Sequence, residues 1–318
     1  WVPPGDHFYQ PHCRYWGEFT RYVTRLSCIL SQGKHRADVA LLHPITTLHA
    51  NWIAGLDPEG FPAGRDFADP AFDLTLAADI LVGLISKTAH AALKDDTRPQ
   101  LAGLNFAFDG ATVAVAAADG YRIATATAEL PEGSDDVSIT VPARPLVVVA
   151  KSLRDATSAR LLVDAGGNAL WIDSEAGNWS LSLIEGTFPD FRRVIPRDAP
   201  IAVTVSRTEL LRALRLVKGL EVIETGYRVH LAFSRDSLEI RAADTSQDHE
   251  ARTTIDAAMS GSEALSISFN TTYLSEAVGA IDGDGVLLEL TSADKPCLIR
   301  STRDNASLQV VMPVAIPR

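Results

Sequence analysis

Apolar positions along the chain follow two periods, and the same succession of periods occurs twice. Phe72–Leu76 and Ile201–Val205 each alternate like a half-buried strand, and each leads into apolar steps of three and four residues that predict a helix. Alternating runs around a polar turn follow at 106–119 and again at 231–244, which is the pattern of a β-hairpin. The chain therefore contains an internal repeat, with its two copies about 125–129 residues apart.

Further strands and one more helix complete each copy of the repeat. A strand, a short helix and two or three more strands are predicted over 137–183, and the same series returns over 265–311. Each copy thus holds two helices and a run of antiparallel strands. The order predicts an α+β fold made of two tandem copies of one domain.

Residues 1–62 have a different pattern and a different composition. Apolar residues over 16–30 recur at helical steps, Gly33 follows where a helix would end, and 37–42 is a strand-like run. This part holds five of the eight histidines and balanced charges, so the rest of the chain carries the whole net charge of -11. The change falls at 57–64, a linker-like stretch rich in glycine, proline and aspartate. We expect a short helix–strand segment there that cannot bury its apolar faces alone.

Composition narrows the classes of protein that the chain can belong to. With 318 residues, 46% hydrophobic and 22% charged, it is typical of a folded protein of about two domains. No apolar run approaches the roughly 18 residues of a membrane helix, and no signal peptide is visible after Trp1. Three scattered cysteines indicate a reducing compartment, and we expect a cytoplasmic location. The net charge of -11 argues against simple coating of nucleic acid but allows a local basic surface.

Several motifs in register resemble one protein family, the bacterial DNA polymerase III beta subunit, which is the replicative sliding clamp. The motifs that carry the resemblance are AADGYRI at 117–123, VPAR at 141–144, LIEGTFPDFRRVIP at 183–196, FNTTYL at 269–274 and VVMPV at 310–314. The resemblance implies two clamp domains, the family's second at 63–190 and its third at 191–318. The family's first domain is expected before Phe61 and is not found there.

The resemblance implies a hydrophobic pocket that receives short linear peptides from polymerases, the clamp loader and repair proteins. Its wall would consist of Leu101, Ala118, Gly120, Tyr121, Arg122, Ile123, Pro189, Arg193, Val194, Val310, Val311, Met312, Pro313 and Val314. Valine, methionine and proline at a chain end also suit an adaptable apolar anchor site, and flanking arginines suit peptide carbonyls or acids. This sequence departs from the family at Ala118, where threonine is usual, and in running on through 315–318.

The resemblance also implies that the protein surrounds double-stranded DNA without reading its sequence, because the helices present cations to phosphates. The predicted DNA-binding residues are Lys87, Arg98, Arg144, Lys151, Arg154, Arg212, Arg215 and Lys218. In the family, two three-domain chains join head to tail, first domain against third. Without a first domain, a homo-oligomer is expected but ring closure stays open. A trimer of two-domain chains would restore six domains.

Residues 1–62 resemble, over 8–44, a segment of rhamnosidase-type glycoside hydrolases. Glu18 and Asp38 do not make an identifiable pair of hydrolytic carboxylates. The repeat contains no nucleophile, phosphate-loop or dinucleotide motif, and the histidines and cysteine at 7, 12, 13 and 35 do not have zinc-ligand spacing. The lack of these motifs favours a binding protein over an enzyme, and the resemblance to the clamp family implies a non-catalytic processivity factor. We expect no metal or cofactor. A glycoside hydrolase fragment, or a fused or truncated clamp unable to close a ring, are the alternatives.

Overall fold

A computed structural model describes residues 70–314, apart from 96, 131–132, 165, 197, 219–227, 245–248 and 263. All of these residues belong to the second of two compact units, Phe67–Arg318. The helix and strand predicted for residues 1–62 lie outside the described residues.

Each sequence repeat folds into eight strands and two helices in the same order. The first contains β1 (Phe72–Ala77), α1 (Ala78–Thr88), β2 (Gly103–Asp109), β3 (Thr112–Ala118), β4 (Arg122–Glu129), β5 (Val137–Pro142), α2 (Ala143–Ser152), β6 (Ser158–Val163), β7 (Ala169–Ser174) and β8 (Gly177–Ser182). The second contains β9 (Ile201–Ser206), α3 (Arg207–Lys218), β10 (Arg228–Ser234), β11 (Ser237–Asp244), β12 (His249–Ser260), β13 (Ala264–Asn270), α4 (Thr271–Gly279), β14 (Gly285–Leu290), β15 (Cys297–Ser301) and β16 (Ser307–Val311). The predicted α+β fold with two tandem domains is confirmed. Strands β4 and β12 were not recognised in the repeat pattern.

The helices form because their apolar residues recur on one face. In α1 the buried residues include Leu81 and Ile85, and in α3 the corresponding residues Leu210 and Leu214 are buried. These stripes pack on the sheets and leave the opposite helix face to solvent. Helix α4 begins with a side-chain cap, since Asn270 accepts hydrogen bonds from the backbone N–H groups of the next turn.

All strand pairs are antiparallel, and they form two sheets. One has the order β1-β6-β7-β8, and the other has the order β13-β10-β11-β12-β9-β14-β15-β16-β4-β3-β2-β5. Each repeat has its own apolar core beneath its helices. The long sheet nevertheless runs from one repeat into the other, because β16 of the second repeat pairs with β4 of the first. We call this strand pair the junction.

Candidate functional site

A third, smaller apolar cluster lies at the junction, between the two domain cores. Its buried members are Leu101, Ala118, Ile123, Leu298 and Val310. Partly buried side chains pack around these residues and include Phe188 and Phe191. The two rings are arranged edge to face, with their centroids 6.1 Å apart. Four of the five buried members were predicted from the sequence. We call this set the junction cluster.

The junction strands position these side chains in a fixed register. Val310 lies opposite Ile123 and Val311 lies opposite Arg122. Because neighbouring residues of a strand point to opposite faces, Val310 joins the junction cluster while Val311 is fully buried in the core of the second repeat. Val311 therefore packs in the core beneath the site and does not line an open surface.

Exposed apolar side chains stand at the rim of the junction cluster. The exposed fraction is 64% for Tyr121 and 51% for Val194. Both residues belong to the predicted pocket wall. After β16 the chain continues along the same rim, where the N–H of Met312 donates to the carbonyl of Tyr121 at 2.9 Å. Pro313 and Val314 are half-buried, and the N–H of Val314 donates to the carbonyl of Ser268.

A shallow hollow beside the junction cluster is lined by 190 and 192–196. It includes Arg193, whose exposed guanidinium pairs with Asp190 at 2.9 Å. An exposed cation at the edge of this hollow can meet carbonyl or acidic groups of a bound peptide. Pro189 precedes this hollow and is exposed.

Arg122 is the buried polar centre of the site. Its Nε contacts Asp119 Oδ2 at 2.9 Å, its Nη1 contacts Glu276 of α4, and its side chain is only 3% exposed. The guanidinium carbon lies 4.2 Å from the ring centroid of Tyr273, close enough for a cation–π contact. Burial, followed by the charge of Asp119, raises the pKa of Tyr273. The family resemblance implied that Arg122 belongs to the pocket wall. In the structure its buried side chain pairs with Asp119 of its own repeat and with Glu276 of the other, so it links the two repeats.

Sequence reasoning missed several residues of this site. Tyr273 and Glu276 come from the second repeat, and Phe188, Phe191 and Leu298 contribute to the cluster. Three of these residues lie within motifs that carried the family resemblance: Tyr273 is in FNTTYL, and Phe188 and Phe191 are in LIEGTFPDFRRVIP. Nothing in the local pattern separated these residues from ordinary core positions.

Gly120 forms the turn between β3 and β4 with a left-handed φ of 96°. A Cβ built there would lie 3.1 Å from Nη2 of Arg98. That same nitrogen donates to the carbonyl of Asp119. Arg98 was predicted to bind DNA, but its guanidinium lies against the turn at the rim of the junction cluster.

The other predicted DNA-binding residues fall into two groups. Lys87 pairs with Asp282 at 2.6 Å, and Arg144 donates to the carbonyl of Lys94. In contrast, five cations are exposed on or just after the helices and have no ion pair among the described residues: Lys151, Arg154, Arg212, Arg215 and Lys218. Three of them share one face of α3, where Lys218 Nζ also donates to Thr272 Oγ1 of α4 at 3.4 Å. Exposed cations in a row on one helix face have the chemistry that phosphate groups bind.

Within the described part of the chain, no group of three or more His, Cys, Asp or Glu side chains could hold a metal ion. The thiol of Cys297 is buried, and burial raises its pKa. No helix among the described residues is long and apolar enough to cross a membrane.

Comparisons with known proteins agree with this architecture. Residues 75–190 match the central domain of the DNA polymerase III beta subunit, and residues 192–315 match its C-terminal domain. The beta sliding clamps of Vibrio cholerae and Haemophilus influenzae are each 29% identical to this chain over 265 residues, which covers 83% of this chain and 71% of each relative. A Staphylococcus aureus beta sliding clamp is 26% identical over 275 residues.

A crystal structure of the DNA polymerase sliding clamp from Pseudomonas aeruginosa matches with a TM-score of 0.73 and 25% identity, covering 82% of this chain and 70% of that chain. Two repeats joined edge to edge, with these matches, define a protein built from DNA-clamp domains. The chain carries the central and C-terminal domains of the DNA polymerase III beta sliding clamp and belongs to that family. The family is non-catalytic, so the family match confirms the prediction of a non-enzyme.

Proposed function

We propose that this chain is a DNA polymerase processivity factor. It surrounds double-stranded DNA, and it docks polymerase, clamp loader and repair proteins through short peptides bound at the junction cluster. The single observation that carries the proposal is an apolar cluster between two clamp domains whose rim exposes Tyr121 and Val194. The domains are those at 63–190 and 191–318, and the proposed location is the cytoplasm.

Docking follows from the chemistry of the rim. Large exposed apolar side chains beside a packed hollow are the kind of surface that a partner covers, and a few aromatic or aliphatic anchors then carry most of the binding energy. Met312 adds a side chain that adapts to different apolar partners. Arg193 supplies a charge at the edge of the hollow for a carbonyl or acidic group of the peptide.

The helix face supports the second half of the proposal. Arg212, Arg215 and Lys218 are exposed on one face of α3, and cations on a helix face can follow phosphates without reading bases. The whole chain has a net charge of -11, so its other surfaces would oppose DNA. A protein of this kind holds DNA and partner together and changes neither.

A fluorescence titration tests the docking site. The labelled peptide carries a glutamine, spaced leucines and a final phenylalanine, and we expect micromolar binding to the full chain. Tyr121→Ala, Met312→Ala and Arg193→Ala should each weaken binding. Leu216→Ala, which removes a side chain of similar exposure from the face of α3, should leave peptide binding unchanged. Failure of a folded wild-type chain to bind the peptide would overturn the proposal.

The glycoside hydrolase alternative rests on residues 1–62, which lie outside the described residues, and it stays a prediction. Release of phenol from an aryl rhamnoside by the purified chain would support it. The described residues supply no observation in its favour.

A further inference from the structure

A second hollow lies in the first repeat, and we call it the α2 cleft. Its volume is about 360 Å³, within the range of clefts that bind ligands. One wall is the first turn of α2 together with the residue before it, 142–145. The opposite wall is formed by both ends of the short 3-10 turn Pro99–Ala102. Leu93, Lys94 and Ile184 complete the lining.

Backbone hydrogen bonds fix the walls of the α2 cleft. The N–H of Leu93 donates to the carbonyl of Leu101 at 2.8 Å, so the chain before the 3-10 turn is tied to the turn itself. The N–H of Ile184 donates to the carbonyl of Thr140 at 2.8 Å. The cleft is therefore formed before any ligand arrives, and binding does not have to order its walls.

The α2 cleft combines an apolar lining with two cations. All of its described lining residues are aliphatic or proline, except Lys94 and Arg144, which are exposed. Arg144 donates to the carbonyl of Lys94, which uses one of the five N–H donors of a guanidinium. Neither cation has an ion pair among the described residues. The neighbouring Asp95 is not part of the lining, and its carboxylate accepts the backbone N–H of Thr97.

This combination selects one class of ligand. Exposed cations pair with carboxylates, and an aliphatic lining accepts aliphatic side chains. Single-stranded nucleic acid would need aromatic side chains on which its bases stack, and the described lining of the cleft contains none. We propose that the α2 cleft binds an acidic segment of a partner protein, with aliphatic side chains in the cleft and carboxylates at Lys94 and Arg144.

The α2 cleft lies next to the junction cluster but is a separate site. Leu93 lines the cleft and also packs against the junction cluster, and Leu101 of the intervening 3-10 turn is a buried member of that cluster. None of the residues that line the cleft belongs to the predicted peptide pocket wall. A partner docked at the junction cluster would hold an acidic flanking segment beside the cleft at a high effective concentration.

Titration of the full chain with a labelled acidic peptide is the first test. The peptide carries two leucines flanked by aspartates and lacks the glutamine and phenylalanine of the docking peptide. We expect high-micromolar binding by fluorescence anisotropy. A peptide with lysines in place of the aspartates should bind roughly tenfold more weakly, because like charges then meet at the edge of the cleft. A folded chain that does not bind the acidic peptide, or binds both peptides equally, would overturn the proposal.

Variants of the chain locate the binding. Lys94→Glu and Arg144→Glu each reverse a charge beside the cleft and should weaken binding roughly fivefold or more. Lys295→Glu is the matched control, since it makes the same charge change at an exposed lysine between β14 and β15 and should leave binding unchanged. Ala102→Phe should also weaken binding, because its ring occupies the cleft while both cations remain. Equal effects of Lys94→Glu and Lys295→Glu would contradict a site at the cleft.

Competition separates the α2 cleft from other sites. Unlabelled docking peptide should not displace the acidic peptide, and Lys94→Glu should leave the docking titration unchanged. Failure of either site is therefore distinguishable from failure of the other. Displacement by the docking peptide would place the acidic peptide at the junction cluster and overturn the proposal. An oligothymidylate that displaces the acidic peptide, and whose own binding is weakened by Ala102→Phe, would assign the cleft to nucleic acid and overturn it as well.

Discussion

Arg122 of β4 lies between Asp119 of its own repeat and Glu276 of the other, with its guanidinium 4.2 Å from the ring centroid of Tyr273. The contact between Arg122 and Glu276 joins residues that are 154 positions apart in the chain. Asp119 Oδ1 also accepts the backbone N–H groups of residues 121 and 122. This buried ion cluster fixes the turn that presents Tyr121 and therefore couples the rim of the peptide site to the contact between domains.

Replacing Arg122 with alanine should destabilise the fold strongly. Removing one member of a buried ion pair leaves the partner charge unpaired, at a cost of about 3–5 kcal/mol. Arg160→Ala is the matched control, since Arg160 pairs with Asp73 at 2.5 Å on the surface and its loss should cost less than about 1 kcal/mol. Urea unfolding of both variants measures the difference in the free energy of unfolding. Equal decreases for the two variants would show that the Arg122 ion pairs do not stabilise the contact between the repeats.

Stability should depend on pH through His90. Burial, followed by the charge of Arg122, lowers the pKa of His90 from 6.5 to about 4. The unfolded chain therefore binds a proton at His90 at a pH where the folded chain does not, so stability falls as the pH decreases from about 6.5 to about 4. The loss amounts to about 1.4 kcal/mol per pH unit, on the order of 3 kcal/mol in all.

His90→Gln should remove that part of the pH dependence, because glutamine does not titrate. Urea unfolding across the interval in both proteins gives the difference, in which the contributions of carboxylates cancel. Parallel curves for the two proteins would contradict the assignment. Above pH 6.5 the contribution of His90 should be constant.

The exposed cations of α3 should carry DNA binding. Changing Arg212, Arg215 and Lys218 to alanine together should flatten the dependence of the logarithm of affinity on the logarithm of salt concentration by roughly 0.9 for each lost phosphate contact. Lys87→Ala should change the slope less, because Lys87 is already paired with Asp282. Fluorescence anisotropy with duplexes of two unrelated sequences measures the slopes. If Lys87→Ala changed the slope as much as the triple variant of α3, the α3 cations would not be the main DNA-binding surface.

Two glycines should respond to alanine with opposite signs. Gly120 has a φ of 96° and a guanidinium 3.1 Å from the place of a Cβ, so Gly120→Ala should destabilise by about 1 kcal/mol or more. Gly83 lies inside α1 with open space around a Cβ, so Gly83→Ala should stabilise by about 0.5–1 kcal/mol. Thermal unfolding of the pair tests both signs. Stabilisation by Gly120→Ala would show that the turn is not held in its left-handed conformation.

The resemblance to the clamp family named four of the five buried residues of the junction cluster. The sequence by itself determined the repeat and the order of the helices and of the strands other than β4 and β12. It could do so because periodicities of two and of three to four residues are local properties of the chain. The pairing of β16 with β4 is not local, since Val310 and Ile123 belong to different repeats. The family resemblance gave Val310 and Val311 the same role, although the structure places them in different apolar clusters.

Only the tertiary structure decided which charged residues are free. Lys87, Arg98 and Arg122 have the same residue types as the exposed cations of α3, but each is engaged by a group brought near by folding: a carboxylate of the other repeat for Lys87 and Arg122, and a backbone carbonyl for Arg98. Whether a charged side chain is free to bind a ligand depends on its distance from carboxylates and carbonyls in the folded protein. The order of residues along the chain does not specify that distance.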